Sequence, residues 1–440
     1  MTSAVEARVG RYLARVTGLR DTELDGTVKG VPLHARLPLS AVPEQGWNVL
    51  RGDLPLPAMT LDAAALDANI ATMQRYCERH GVRLAPHGKT TMSPQLFDAQ
   101  FAAGAWAITA ATATQAAVMR RYGAGRILLA NQLTERAALQ WVSGELDRDP
   151  GFEFFCLVDS AATVRMMDAL LDELGTGRPL PVLVEVGGHG GRSGVRSVDS
   201  AIEVAQAAHT ARHLQVAGVE TFEGALTATV DAEALRTLDD LFGAMRESVS
   251  AIAGRGLFER DEVIVTAGGS MYFDFVVAQL SDWPGLASPV SLVLRSGCYV
   301  SHDHGVYERF SPLAGRSPAG EDLRLRDAIR LWGAVLSRPE PDTVIVGLGL
   351  RDAPVDREMP TPLTGFRDGA AHVELCGAAE VFRMMDQHAF LRIEPATCDL
   401  RPGDTISFGV SHPCTAFDKY RFIPLVDEQM NVIDAILTFF

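Results

Sequence analysis

Val82-Arg83-Leu84-Ala85-Pro86-His87-Gly88-Lys89-Thr90-Thr91 is the stretch on which the rest of the chain turns. Val82 to Ala85 is an extended apolar run that reads as a strand, and Ser93 to Gln100 carries a helical pattern. Lys89 therefore falls where a strand ends and a loop turns back. In an α/β barrel that end of the strands is the active-site face. A lysine there is either a solvated surface cation or a Schiff-base lysine, whose ammonium loses its proton when desolvated or set beside other cations. Lysine is scarce in this arginine-rich chain, and the segment around Lys89 is otherwise uncharged apart from His87, which favours the second reading.

On both sides of this stretch, short apolar strands alternate with amphipathic helices. Ala58 to Leu61 reads as the first strand, and Asp62 caps a helix from Ala63 to about His80 that stops at Gly81. Val82 to Ala85 is the second strand. Ala105 to Thr109, Ile127 to Ala130, Phe152 to Val158, Val182 to Val186, Val216 to Glu220 and Val263 to Thr266 follow as the third to the eighth. Helical patterns such as Ala162 to Leu174 and Ala232 to Ala253 separate them. Continuous apolar strands between amphipathic helices predict a parallel sheet covered by helices. About eight such units fit a closed (β/α)8 barrel of the TIM type, with an open doubly wound sheet as the alternative. After Leu280 short strands sit among turns (Ser291 to Arg295, Thr343 to Val346, Ala371 to Leu375, Thr405 to Phe408), which predicts a mostly antiparallel β domain. The expected division is an N-terminal arm over 1–54, packing on the β domain and opening with a helix from Val5 to Val16, then a barrel over 55–288 and a β domain over 289–440.

Composition narrows the function. A chain of 440 residues, 47% hydrophobic and 22% charged, has the make-up of a soluble globular protein. Its formal net charge of -15 argues against nucleic acid and anionic membrane surfaces as partners. No apolar run approaches the ~18 residues of a membrane span, and no signal peptide is legible. Cys77, Cys156, Cys298, Cys376, Cys398 and Cys414 show no C-x-x-C spacing, which fits reduced thiols and a cytoplasmic location.

Candidate functional residues follow several strands on one expected face: Lys89, Arg192 in its glycine run, Glu223, and Gly268-Gly269-Ser270. The last opens a helical segment, Met271 to Leu280, so its N–H groups read as an anion cradle or as a plain capped turn. Ser411-His412-Pro413-Cys414 follows a turn and a strand. In extended chain His412 and Cys414 face the same side, and imidazole with thiolate suits Zn²⁺ better than Mg²⁺ or Mn²⁺. Such a pair is more often structural when nothing else supports it. His302 and His304 form a rival pair, and Arg351-Asp352 is either a contact pair or a turn. His189 reads as a loop histidine.

Pro86-His87-Gly88-Lys89-Thr90 resembles the lysine motif of the D-serine dehydratase and D-threonine aldolase group, which are fold-type III pyridoxal-phosphate enzymes with the alanine-racemase-like fold. The resemblance runs from about Leu56 to the C-terminus. It implies that Lys89 holds pyridoxal 5'-phosphate and that Arg192 lies beside the cofactor ring. It also implies that Arg295-Ser296-Gly297-Cys298-Tyr299 is a second cofactor-contacting segment, with Gly297 and Cys298 at the phosphate. Dehydratases of the group carry His-x-Cys and bind zinc, whereas the aldolases carry His-x-Asp; here position 414 is cysteine. The implied protein is a homodimeric, zinc-dependent lyase that converts a small D-β-hydroxy amino acid, D-serine first, to a keto acid and ammonia. The rivals are a retro-aldol lyase of the D-threonine aldolase type and a non-catalytic pyridoxal-phosphate homeostasis protein.

Overall fold

The computed structural model describes residues 9–440. The chain divides into two compact units, one of residues 74–89 and 104–297 and the other of residues up to 73, 90–103 and 298–440. Strands are numbered in chain order: β1 Glu23–Asp25, β2 Arg36–Pro38, β3 Ala58–Asp62, β4 Arg83–Leu84, β5 Ile108–Ala110, β6 Arg126–Gln132, β7 Glu153–Val158, β8 Leu180–Val186, β9 Leu214–Thr221, β10 Val263–Ala267 and β11 Val290–Leu294.

The first unit is the barrel. Its eight strands lie in the order β4-β11-β10-β9-β8-β7-β6-β5, and all the pairings are parallel. Past the end of β4 the chain stays extended, and His87 bridges Thr109 in parallel. Trp106 N–H donates to the Leu84 carbonyl at 2.7 Å and Thr109 N–H to the Pro86 carbonyl at 2.8 Å, so the two ends of the strand order meet. Ala85, Leu128, Phe155, Leu157, Leu183, Ala217, Ile264 and Val293 fill the interior, each at most 2% exposed. Full burial of a large apolar side chain contributes about 1.5–3 kcal/mol, so this layer fixes where the strands end and where the loops begin.

Two strands differ from the sequence expectation. Ala58 to Leu61 was expected to open the barrel, but β3 pairs with strands of the other unit. The barrel's eighth strand is instead β11, which was expected to open the β domain, so the expected boundary at 288/289 moves past it. Ala58 to Leu61 are all buried, and so are Ser291 to Leu294. A strand buried on both faces gives no local sign of which sheet receives it.

The second unit is a largely antiparallel sheet of ten strands. Its further members are β12 Ile329–Glu340, β13 Thr343–Val346, β14 Thr361–Arg367, β15 Ala370–Glu374, β16 Ala379–Met384, β17 Ala389–Ile393, β18 Thr405–Gly409, β19 Phe422–Val426 and β20 Val432–Leu437. The long strand β12 pairs with β18, β13 and β3. Within this unit the N-terminal segment lies on β20. Gly10 N–H donates to the Ile433 carbonyl at 3.0 Å, and Tyr12 N–H to Asp434 Oδ2 at 2.6 Å. Of the helix expected from Val5 to Val16, Arg11–Arg15 is helical, and the part before residue 9 lies outside the described residues. The helix Ala63–His80 follows expectation, with Asp62 Oδ1 accepting from Ala65 N–H at 2.8 Å and Gly81 leaving it at φ 63.

Candidate active site

The barrel strands deliver a cationic cleft. Lys89 sits in a 3-10 turn, Gly88–Thr90, just beyond β4. A Cβ at position 88 would meet Met119 Cε at 2.5 Å and Ile108 Cδ1 at 2.9 Å, so a larger residue there displaces these side-chain ends. His87, Lys89, Ala111, Ala130, Asn131, Arg192, Phe222, Gly268 and Arg295 line the cleft. Burial, followed by the charges of Lys89 and Arg295, holds the His87 imidazole well below its usual range, so it is neutral. Its Nδ1 is buried with no hydrogen-bond partner. Arg192, in the loop after β8, is exposed and lies 5.2 Å over the Phe222 ring. His189 in the same loop is exposed and outside the cleft lining.

Two buried carboxylates lie around this cleft: Glu223, already a candidate from the sequence, and Glu220, which the sequence reading missed. Glu220, at the end of β9, is ion-paired with Arg295, which follows β11. Arg295 also donates to Thr266 Oγ1 at 2.8 Å and to the Thr221 carbonyl at 3.0 Å. Burial pushes Glu220 up to about 7 despite the opposing pull of Arg295. The signal for this pair was present: a glutamate ending an apolar strand needs a buried cation. Glu223 is buried too, and burial raises it above the ordinary carboxylate range. Its Oε1 accepts the Gly269 N–H at 2.6 Å.

That bond alters the expected anion cradle. Gly268, Gly269 and Ser270 do follow the seventh barrel strand in structural order, where barrel phosphate sites cluster. The Gly269 N–H, however, is committed to Glu223, and the helix opens at Phe273 rather than Met271. Gly268 has φ +146, and a Cβ there would press on the Arg295 backbone nitrogen at 2.8 Å. Ser296 Oγ donates to the Gly269 carbonyl at 2.9 Å, which ties together the loops after β10 and β11. Gly297 is buried at the end of the second loop.

The other unit holds a thiol and imidazole cluster. One ligand atom each from Cys298, His412 and Cys414 lie within 4.8 Å of one another. Cys298, expected at the phosphate, turns its Sγ to within 3.3 Å of Cys414 Sγ. His412 and Cys414 do converge, though not through extended chain. Pro413 has αR torsions, and Cys414 opens a short helix, Cys414–Phe417. Thr90 Oγ1 lies 3.3 Å from Cys414 Sγ. His412 Nδ1 is 2.6 Å from Asp356 Oδ2, and Thr415 Oγ1 donates to Asp356 Oδ1 at 2.6 Å. Burial alone would lower the His412 imidazole, but Cys414 and Asp356 raise it to about 9. Hydrogen bonding from Cys298, then from His412 and Thr90, holds the Cys414 thiol well below its usual range. Nothing in the sequence marked Asp356, which lies 56 residues before His412.

The remaining candidates separate. Tyr299 Oη accepts from Gln100 Nε2 at 3.0 Å. His302 and His304 do not form a pair: the first contacts Glu308 at 3.0 Å and the second Asp327 at 2.8 Å. Asp352 accepts the Gly349 N–H at 2.8 Å and pairs with Lys29 at 2.6 Å, which makes Arg351-Asp352 a turn.

Comparison with known proteins agrees with this layout. Residues 61–273 match the family described as "Alanine racemase, N-terminal domain", and residues 328–426 match the "Putative serine dehydratase domain". The chain is 26% identical over 364 residues to a 3-hydroxy-D-aspartate aldolase of Paracoccus denitrificans, covering 79% of this chain and 86% of that one. A D-threonine aldolase of Arthrobacter is 26% identical over 376 residues, covering 84% and 88%. A D-threo-3-hydroxyaspartate dehydratase of Delftia is 32% identical over 187 residues, covering 42% and 48%. Among solved structures, the D-threonine aldolase of Filomicrobium marinum superposes with a TM-score of 0.74 at 23% identity, covering 89% of this chain and 96% of that one. The dehydratase from Delftia gives 0.70 at 21% identity, covering 89% and 99%, and a cysteine variant of D-threo-3-hydroxyaspartate dehydratase has been solved in a metal-free form. The chain belongs to the alanine-racemase-like, fold-type III pyridoxal-phosphate lyases that carry a serine-dehydratase-like second domain.

Proposed function

We propose that the protein is a pyridoxal-phosphate- and zinc-dependent dehydratase of D-β-hydroxy amino acids, with D-serine as the first substrate to test. The barrel cleft suits an anionic cofactor. Lys89, Arg192 and Arg295 offer three cations, of which Arg295 is paired with Glu220, while Glu223 is bonded to the Gly269 N–H, and Nδ1 of neutral His87 is an unused acceptor or donor. When bound, pyridoxal phosphate supplies the electron sink for loss of the α-proton, and a divalent metal supplies Lewis-acid assistance to departure of the β-oxygen. Lys89 would hold the cofactor, and its Nζ is the group that would take the α-proton. Arg192 would orient the cofactor, and the loops of Gly268 to Ser270 and Ser296 to Gly297 would hold its phosphate, with the Gly269 N–H exchanging Glu223 for it. His412 and Cys414 hold the metal, with Asp356 fixing the imidazole by its bond to Nδ1.

The observation that carries this reading is the cysteine at 414, drawn into a cluster with His412 and Cys298. A thiolate and imidazole set favours zinc, whereas a carboxylate in that place would favour harder ions. A second reading, retro-aldol cleavage, is favoured by the two longest sequence matches, both to aldolases. Products separate the two. D-Serine, D-threonine and D-3-hydroxyaspartate are each incubated with purified enzyme. A keto acid with stoichiometric ammonia supports dehydration; glycine with an aldehyde, or with glyoxylate from hydroxyaspartate, overturns it in favour of the aldolase.

A further inference from the structure

The dehydratase reading needs only His412 and Cys414 as metal ligands. Cys298 is a third candidate, and it lies 116 residues away in sequence from Cys414. We propose that Cys298 is a third protein ligand, so that the ion is held by two thiolates and one imidazole with one position open, and that this set selects Zn²⁺ over Mn²⁺ and Mg²⁺. The inference rests on the reading that a metal sits at His412 and Cys414.

Distance decides between a shared metal and a disulfide. Zinc–sulfur bonds of about 2.3 Å in a tetrahedron place two sulfurs about 3.8 Å apart. The two Sγ atoms stand at 3.3 Å, so a metal needs them to part by only a few tenths of an ångström. A disulfide, at about 2.05 Å, needs an approach of more than an ångström. Cys298 is fixed at the start of a buried 3-10 turn, Cys298–Val300, and is 4% exposed, so bulk water does not compete for it.

The surroundings are those of a ligand set. Asp356 engages His412 Nδ1, which leaves Nε2 for an ion and sets the ring orientation. Thr90 Oγ1 reaches Cys414 Sγ, and Thr415 holds the second oxygen of Asp356. Among the described residues this is the one cluster of three such donors. Three protein ligands with one open position is the pattern of catalytic zinc, whereas a structural site closes with a fourth. A second thiolate also shifts preference toward softer ions.

X-ray absorption at the zinc edge on the holoenzyme tests the donor set independently of turnover. Two sulfur scatterers at about 2.3 Å are expected in the wild type and one in Cys298→Ser. Chelator competition gives the second readout. Cys298→Ser should lose more Zn²⁺ affinity than the roughly 10–100-fold typical of changes beyond the ligand shell, while its Mn²⁺ affinity does not fall. One sulfur in zinc-loaded wild type overturns the third ligand and leaves His412 and Cys414 standing. A wild type that takes up no zinc overturns both the inference and the metal half of the proposed function. The wild-type spectrum decides even if the variant fails to fold.

Discussion

Arg295→Met removes the cation that faces Glu220. The two side chains are 2% and 0% exposed, so the carboxylate loses its counter-charge in a site water does not reach. Removing one partner of such a pair costs about 3–5 kcal/mol. The pH dependence identifies the cause. Burial sets the Glu220 carboxyl at about 7, above its ordinary 4.5. Between those values the folded protein holds a proton that the unfolded chain has released, so wild-type stability falls as pH rises through this window. Above about 7 the wild-type carboxylate is ionised and paired, and its contribution levels off. In Arg295→Met the carboxyl stays protonated further up the scale, and its contribution goes on falling by about 1.4 kcal/mol per pH unit. The deficit against wild type is therefore smallest near about pH 6 and grows toward about pH 8.5. Urea unfolding of cofactor-stripped protein at several pH values measures it, with Glu220→Gln in the same background expected to abolish the growth. A deficit that is constant across the range refutes the reasoning.

Borohydride treatment of the enzyme loaded with pyridoxal phosphate should leave the label on the Lys89 peptide by mass spectrometry; label on another lysine refutes the assignment. Chelation, or Cys414→Ala, should abolish ammonia release from D-serine while that label persists, and undiminished release contradicts the role of the metal. Gly268→Ala should destabilise the barrel by about 1–3 kcal/mol, because φ +146 is strained for alanine and its Cβ meets the Arg295 backbone; thermal unfolding measures it. Light scattering should give a dimer, and full activity in a monomer refutes that expectation.

The cleft lysine was legible because strand, turn and helix signals fall within a few residues around Lys89, and the alternation that builds a barrel is likewise local. The assignment of β3 and β11 to their sheets was not, since both strands are buried and their partners lie far along the chain. The same holds at atomic scale. His412 and Cys414 are close in sequence and were read as a pair. The family resemblance sets Cys298 at the phosphate, but nothing local shows which way its side chain turns, and packing brings its sulfur to Cys414. Arg295 and Glu220 are 75 residues apart, and only the barrel register places one opposite the other.

The pairing of β3 sets an order of assembly during synthesis. Leu61 lies opposite Ile329 in one neighbour and Leu425 in the other. Every barrel strand, by contrast, falls between Arg83 and Leu294. The barrel can thus close while the ribosome is still making the second sheet. At about 5–20 residues per second, the stretch between Leu61 and Leu425 takes roughly 20–70 s to emerge. Until Ile329 emerges Ala58-Met59-Thr60-Leu61 is an apolar strand with neither neighbour made, and from then until Leu425 it still lacks one, the kind of segment that recruits other chains. A ribosome stall or truncation between Leu294 and Phe422 therefore leaves a nascent chain that has every barrel strand but whose β3 still lacks at least one neighbour and stays open to aggregation.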